Sequence, residues 1–268
     1  MRPQTFKPKP QPQHPENDPT LPKYVAGRRA ALELLKDEEG RSKIEKVYLA
    51  HGIQGQSVNE ILHFLRVHKI AHTELDRRRF GELERTVSKN TDTQGVLVLL
   101  NAVIYWALED LIPEASQNGR VVLIALDGIE DPHNIGAIIR SAEALGVNAI
   151  MMPKRGAVLT PAVYKTSAGA ALHLPIVKIG NLSETITMLQ ETYGFYCVGL
   201  AGEGTKTIGE LDADRNLLLI VGSEEKGLHQ LTRKRCDELV NIPMTGKTES
   251  LNASVASAIA MYEVMRKK

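Results

Sequence analysis

Val121-Val-Leu-Ile-Ala-Leu-Asp-Gly-Ile-Glu-Asp-Pro-His-Asn-Ile-Gly136 decides the architecture. Its first half is an unbroken apolar run, the mark of a strand buried on both faces. Its second half is polar, carries glycine and proline, and leads into a helical pattern from Ile138 to Leu145 that includes Arg140. The same alternation recurs downstream. Ala149-Ile-Met-Met152, Tyr196-Cys-Val-Gly-Leu200 and Leu217-Leu-Leu-Ile-Val221 read as strands, and Ser183 to Tyr193 reads as a helix. Strands alternating with helices predict an α/β domain over residues 120–268, with a mainly parallel sheet covered on both faces.

Two further polar clusters follow buried strands. Val221-Gly-Ser-Glu-Glu-Lys-Gly-Leu228 is one. Ile242-Pro-Met-Thr-Gly-Lys-Thr-Glu-Ser-Leu-Asn-Ala-Ser254 is the other, and it opens a C-terminal helix expected from about Asn252 to Arg266. That helix places Val255, Ile259 and Tyr262 on one face. Open α/β sheets bind ligands at the carboxyl ends of their strands, and glycine lets a ligand approach the backbone closely. Taken singly, each cluster is weak. Asp131, Pro132 and Asn134 also suit an ordinary turn and helix cap, and Gly199-Leu-Ala-Gly202-Glu-Gly204 is a poor dinucleotide fingerprint.

Upstream lies a smaller α/β unit, residues 24–100. A helix is expected from near Gly27, strands at Lys46-Val-Tyr-Leu-Ala50 and Gly95-Val-Leu-Val-Leu-Leu100, and a helix carrying Val58, Ile61, Leu62 and Leu65. Residues 101–119 read as a linker ending in a polar stretch. Residues 1–23 hold seven of the 13 prolines and read as a disordered, mildly basic tail.

Composition narrows the function. Hydrophobic residues make up 43% of the 268, enough for a core, and charged residues 24%. No apolar run approaches bilayer length, and the N-terminus lacks a secretory apolar region. Cys197 and Cys236 are far apart and read as free thiols in a reducing cytoplasm. Net charge is +1, so any RNA contact must come from local patches: Arg28-Arg29, Arg77-Arg78-Arg79, Lys154-Arg155, Arg233-Lys234-Arg235 or Arg266-Lys267-Lys268. Aromatics at 4% argue against an RNA surface of stacked rings. His63, His68 and His72 lack a completing carboxylate or cysteine, so no metal is expected.

Together the clusters are similar to a known family. Asp131-Pro-His-Asn-Ile-Gly136 with Arg140-Ser-Ala142, then Gly222-Ser-Glu224 with Gly227-Leu228, then Ile242-Pro-Met244 with Glu249-Ser-Leu-Asn-Ala-Ser-Val-Ala256, resemble the SpoU (TrmH-like) branch of the SPOUT RNA 2′-O-methyltransferases over residues 121–266. The resemblance is strongest to members that modify a guanosine of 23S ribosomal RNA. Their N-terminal substrate-binding domain matches at Gly27-Arg-Arg-Ala30 and Gln94-Gly95, although they commonly carry a histidine where this chain has Thr93.

The resemblance implies a trefoil-knotted C-terminal domain, a small N-terminal domain like ribosomal protein L30e, and a homodimer with the active site near its interface. It implies S-adenosyl-L-methionine bound by Leu200, Ala201, Gly202, Gly222, Ile242, Met244 and Leu251. It implies a catalytic set of Asn134, Arg140, Glu224, Ser250 and Asn252. A guanidinium keeps its proton at neutral pH and is a poor base. Arg140 is therefore preferred as a phosphate clamp, about one turn into its helix and facing the polar loop, with either the phosphate or a transiently neutral arginine taking the proton. Asn134 orients the ribose or Arg140, Glu224 holds Arg140 or loop backbone, and Ser250 and Asn252 shape the third loop. The expected reaction is methylation of a ribose 2′-hydroxyl in 23S ribosomal RNA. A tRNA target is the alternative within this chemistry, and a non-catalytic RNA-binding or ribosome-assembly protein is the alternative outside it.

Overall fold

The computed structural model describes residues 24–87, 92–100, 105–154, 156–248 and 250–267. The proline-rich segment 1–23, residues 101–104 of the expected linker, and Arg155 and Lys268 of two basic clusters lie outside them.

The N-terminal unit runs β1 (Tyr24–Ala26), α1 (Arg28–Lys36), α2 (Glu38–Ser42), β2 (Ile44–Ala50), α3 (Gln56–Val67), β3 (His72–Leu75), α4 (Arg77–Val87) and β4 (Val96–Leu100). Its sheet has the order β1-β4-β2-β3, with only β2 and β3 parallel. α1 buries Ala30, Ala31, Leu32, Leu34 and Leu35, so its apolar stripe faces the sheet. The expected α1, β2, α3 and β4 are all present. β3 and α4 carry too few apolar residues for periodicity to show them: β3 alternates between exposed and half-buried positions, and α4 buries only Phe80.

The C-terminal unit follows as α5 (Leu108–Ser116), β5 (Val122–Asp127), α6 (Pro132–Leu145), β6 (Ala149–Pro153), α7 (Pro161–Thr166), β7 (Ile176–Ile179), α8 (Leu182–Tyr193), β8 (Tyr196–Leu200), β9 (Lys206–Thr207), β10 (Leu217–Gly222), α9 (Gln230–Arg235), β11 (Glu238–Asn241) and α10 (Ala253–Met265). The sheet order is β7-β6-β5-β10-β8-β11-β9, and every pairing in it is parallel. Part of the stretch expected as a linker is α5, which buries Leu108, Leu111, Ile112 and Ala115 against the second sheet. Pro113 sits within that helix.

Strand periodicity splits this sheet's side chains between two cores. Val122, Ile124, Leu126, Ile150, Val198, Leu217, Leu219 and Val221 face α6, α7 and α10. Leu123, Ala125, Met151, Cys197, Leu218 and Ile220 face α5 and α8. The first core does not stop at the domain border. It continues through Val163, Tyr164 and Ala170 into Val25, Ala30, Ala31 and Leu34 of the N-terminal unit. A Lys165–Asp92 contact joins the two units at the surface: Lys165 Nζ donates to Asp92 O at 2.5 Å and lies 3.5 Å from Asp92 Oδ2.

Candidate active site

The site lies at the carboxyl ends of β5, β8, β10 and β11, where the parallel sheet turns its strand ends toward three loops. The first loop enters α6. Asp131 caps that helix by accepting from His133 N at 3.1 Å, Pro132 occupies its first turn, and Asn134 follows. Gly136 has to be glycine here, because a Cβ would meet Thr166 Oγ1 of α7 at 1.9 Å. The second loop leaves β10 at Gly222 and closes on itself through paired backbone bonds between Ser223 and Gly227. A Cβ at Gly222 would lie 2.2 Å from the Gly227 carbonyl carbon, so this tight return requires glycine. The third loop leads from β11 to Asn252. Asn252 caps α10, accepting from Ser254 N at 3.0 Å and Val255 N at 3.4 Å.

Glu224 ties the three loops together. Its Oε1 accepts from Asn134 Nδ2 at 2.8 Å, Asn252 Nδ2 at 2.5 Å and Ala253 N at 3.3 Å. Asn252 Nδ2 also donates to Asn134 Oδ1 at 2.9 Å. A carboxylate at the amino end of α10 is favoured by the helix dipole as well as by these bonds. Three of the five residues expected to be catalytic thus form one connected group.

Arg140 does not join it. Arg140 lies six residues beyond Asn134, about 9 Å further along the helix axis and turned to another face. It is exposed and makes no ion pair or hydrogen bond among the described residues. The expectation that Arg140 sits one turn in and faces the loop is corrected accordingly. Glu224 holds Asn134 and Asn252, not Arg140. Ser250 is exposed on the third loop and lines the adjoining cavity.

That cavity, about 350 Å³, is lined by Leu200, Ala201, Gly202, Gly222, Ile242, Met244 and Leu251, the full set expected to bind cofactor. Glu203, Glu225, Lys226, Arg233, Ala253 and Ala256 line it as well. A Cβ at Gly202 would meet nothing within 4 Å, so the backbone there is open to a ligand. Aliphatic walls suit a flat heterocycle, and Glu203, Glu224 and Glu225 against Lys226 and Arg233 suit a ligand of net positive charge.

Sequence reading missed two features. Arg233, read as part of a basic surface cluster, lines the cavity and pairs with Glu203. Asp127, 5% exposed at the end of β5, accepts from His229 N at 2.8 Å and lies 2.6 Å from His229 Nδ1. It thereby anchors the start of α9 to β5. Neither feature repeats at a fixed spacing; Asp127 had only Gly128 beside it as a signal, and Arg233 only its basic neighbours Lys234 and Arg235. Among the described residues no group of histidine, cysteine and carboxylate side chains could hold a metal ion, and no helix is long and apolar enough to cross a membrane. In the N-terminal unit Arg28 is spent on structure. Its Nε donates to Gln94 O at 3.0 Å and its Nη1 to Gln54 O at 3.1 Å. Thr93 is fully buried and donates to Glu84 Oε1 at 2.5 Å.

Residues 121–262, the span holding all three loops, match the SpoU rRNA methylase family. The chain belongs to this family. A TrmH-family tRNA/rRNA methyltransferase of Staphylococcus haemolyticus is 35% identical over 246 residues, covering 91% of this chain and 95% of the relative. The fold is shared with solved structures. The SpoU methyltransferase AviRb from Streptomyces viridochromogenes, in complex with AdoMet, superposes with a TM-score of 0.75 at 24% identity, covering 91% of this chain and 89% of that one. An AdoMet-bound rRNA methyltransferase from Sinorhizobium meliloti superposes with a TM-score of 0.72 at 21% identity, covering 91% and 87%.

Proposed function

We propose that this SpoU-family member transfers a methyl group from S-adenosylmethionine to the ribose 2′-hydroxyl of a guanosine in 23S ribosomal RNA. The class of chemistry, S-adenosylmethionine-dependent RNA 2′-O-methylation, goes with the family. The observation that supports the reading is the Glu224 junction, which joins Asn134 and Asn252 beside the cavity lined by the residues expected to hold the cofactor. The cofactor supplies an electrophilic methyl on a sulfonium. The chain supplies alignment, which is worth several kcal/mol in a methyl transfer. Asn134, fixed by Glu224 and Asn252, is placed to orient the ribose. Arg140, exposed and unpaired among the described residues, is free to clamp the neighbouring phosphate with its planar fork.

Ribosomal RNA is favoured over tRNA by the N-terminal unit. It shares a hydrophobic core with the methyltransferase domain, and the likeness to the Sinorhizobium rRNA enzyme extends over it. The finer fold reading is a trefoil knot around the three loops and an N-terminal domain like L30e. A homodimer belongs to the same reading. α10 presents Val255, Ile259 and Tyr262 at 47%, 37% and 57% exposure, while its other side buries Ala260, Met261 and Val264. A helix apolar on both sides needs a second partner. The test is transfer of label from S-adenosylmethionine to rRNA and to tRNA, in chelator, with mapping of the methylated ribose. Labelling of tRNA alone overturns the rRNA assignment, and labelling of neither RNA overturns the activity.

A further inference from the structure

Arg233 is held at the rim of the cofactor cavity by groups on two different loops. Its Nε donates to Leu228 O at 3.1 Å on the second loop, and its Nη1 pairs with Glu203 on the loop after β8. Its Nη2 lies beside Gly227, where a Cβ would approach it to 3.2 Å, and donates to no group among the described residues. The anchoring runs further back. Arg233 N donates to His229 O, and His229 is fixed by Asp127 at the end of β5. A long, flexible side chain is thus immobilised with one edge of its fork unspent.

The cavity lining is of two chemical kinds. Leu200, Ile242, Met244, Leu251 and Ala256 are aliphatic, and Glu203, Glu224, Glu225, Lys226 and Arg233 are charged. S-adenosylmethionine is divided in the same way, into an adenosine and an amino-acid arm that ends in an α-carboxylate and an α-ammonium. A carboxylate entering this cavity has two cations available. Lys226 is exposed on the second loop; its backbone N donates to Ser223 Oγ at 3.3 Å, but its ammonium pairs with no group among the described residues. Arg233 is already oriented, so less side-chain entropy is lost when it binds, and its planar fork matches a carboxylate in geometry.

We propose that Arg233 is the receptor for the α-carboxylate of the cofactor's amino-acid arm, with Glu203 as the positioning residue that aims it. The inference rests on S-adenosylmethionine being the cofactor. It assigns to one side chain the recognition of the arm as opposed to the nucleoside.

Calorimetry on the full chain with two probes separates these contributions. S-adenosylhomocysteine and 5′-methylthioadenosine are both uncharged at sulfur and share the adenosine, but only the first has the amino-acid arm. The wild type should bind S-adenosylhomocysteine more tightly. Arg233→Ala should weaken S-adenosylhomocysteine by about tenfold or more, as loss of a charge-assisted bond does, and leave 5′-methylthioadenosine unchanged. Arg233→Lys should fall between. If Arg233→Ala fails to fold by circular dichroism, Arg233→Lys and Arg233→Gln carry the same comparison. Equal weakening of both probes would make Arg233 a loop support and overturn the proposal. So would unchanged binding of S-adenosylhomocysteine, or a selective loss in Lys226→Ala instead. No binding of either probe by the wild type would defeat the cofactor reading itself.

Discussion

Asn252 Nδ2 lies 2.5 Å from Glu224 Oε1, and through this bond the third loop is fixed to the second at the point where α10 begins. Asn134 joins the same oxygen from the first loop. One carboxylate therefore holds three chain segments that lie up to 118 residues apart in sequence.

Such a junction should behave as a unit. Asn134→Ala and Asn252→Ala are each expected to lower kcat/KM by about tenfold to a hundredfold, the range for losing a hydrogen bond to a charged group. The double variant should cost clearly less than the product of the two losses, because the bonds share Glu224. Glu224→Gln keeps an oxygen acceptor and should be milder than Glu224→Ala. Steady-state kinetics of the five variants, with melting curves to confirm folding, check this. Strict additivity of the two asparagine variants would mean that the network has no joint function.

Arg140 lies outside the residues that line the cavity. Arg140→Ala is expected to abolish nearly all methylation and leave S-adenosylmethionine binding unchanged. Arg140→Lys keeps the charge, loses the bidentate fork, and should retain part of the activity. Single-turnover rates against pH separate a clamp from a base. Lysine gives up its proton more readily than arginine, so an obligate base would shift the basic limb of Arg140→Lys to lower pH. A clamp leaves that limb in place.

The face made by Val255, Ile259 and Tyr262 gives a mass test. The wild type is expected near twice the 29.5 kDa chain mass by light scattering. Ile259→Asp or Tyr262→Asp should give monomers that keep their circular dichroism, since both positions are exposed in the single chain. A monomeric and fully active wild type would remove the dimer from the mechanism.

Tyr164 is 2% exposed in the core shared by the two units. Tyr164→Ala is expected to destabilise the protein by about 3–5 kcal/mol, the cost of truncating a large core aromatic. The signature should be a single lowered melting transition, because the core is continuous. Two separate transitions would show that the units fold independently.

The two thiols give a pH test. Burial, followed by the charge of Asp237, pushes the Cys197 thiol up and the Cys236 thiol up to about 12, from an ordinary value of 9.0. The folded state therefore keeps protons that the unfolded chain releases. The resulting stabilisation is complete below pH 9 and is lost as pH rises toward 12. Iodoacetamide at pH 8 should label both cysteines in denaturant and leave Cys197 unlabelled in the native protein. Rapid native labelling of Cys197 would contradict its burial.

The sequence by itself determined the long elements and the chemistry of the loops. Strands such as β5 and β10 are apolar throughout because both faces are buried, and the polar loops interrupt that pattern visibly. Asn134, Glu224 and Asn252 were legible because they sit in dense local motifs. Short or half-exposed elements were not legible. α7 has six residues, β3 alternates without a buried side, and α5 hid in an expected linker because Pro113 breaks the usual helix pattern. Tertiary structure alone decided that one oxygen of Glu224 receives Asn134 and Asn252, that Arg140 faces away from them, and that Arg233 lines the cavity and pairs with Glu203. The reason is physical. Periodicity reports which face of an element is buried, whereas a contact across a hundred residues depends on how the sheet orders its strands, and that order is fixed only when the whole core packs.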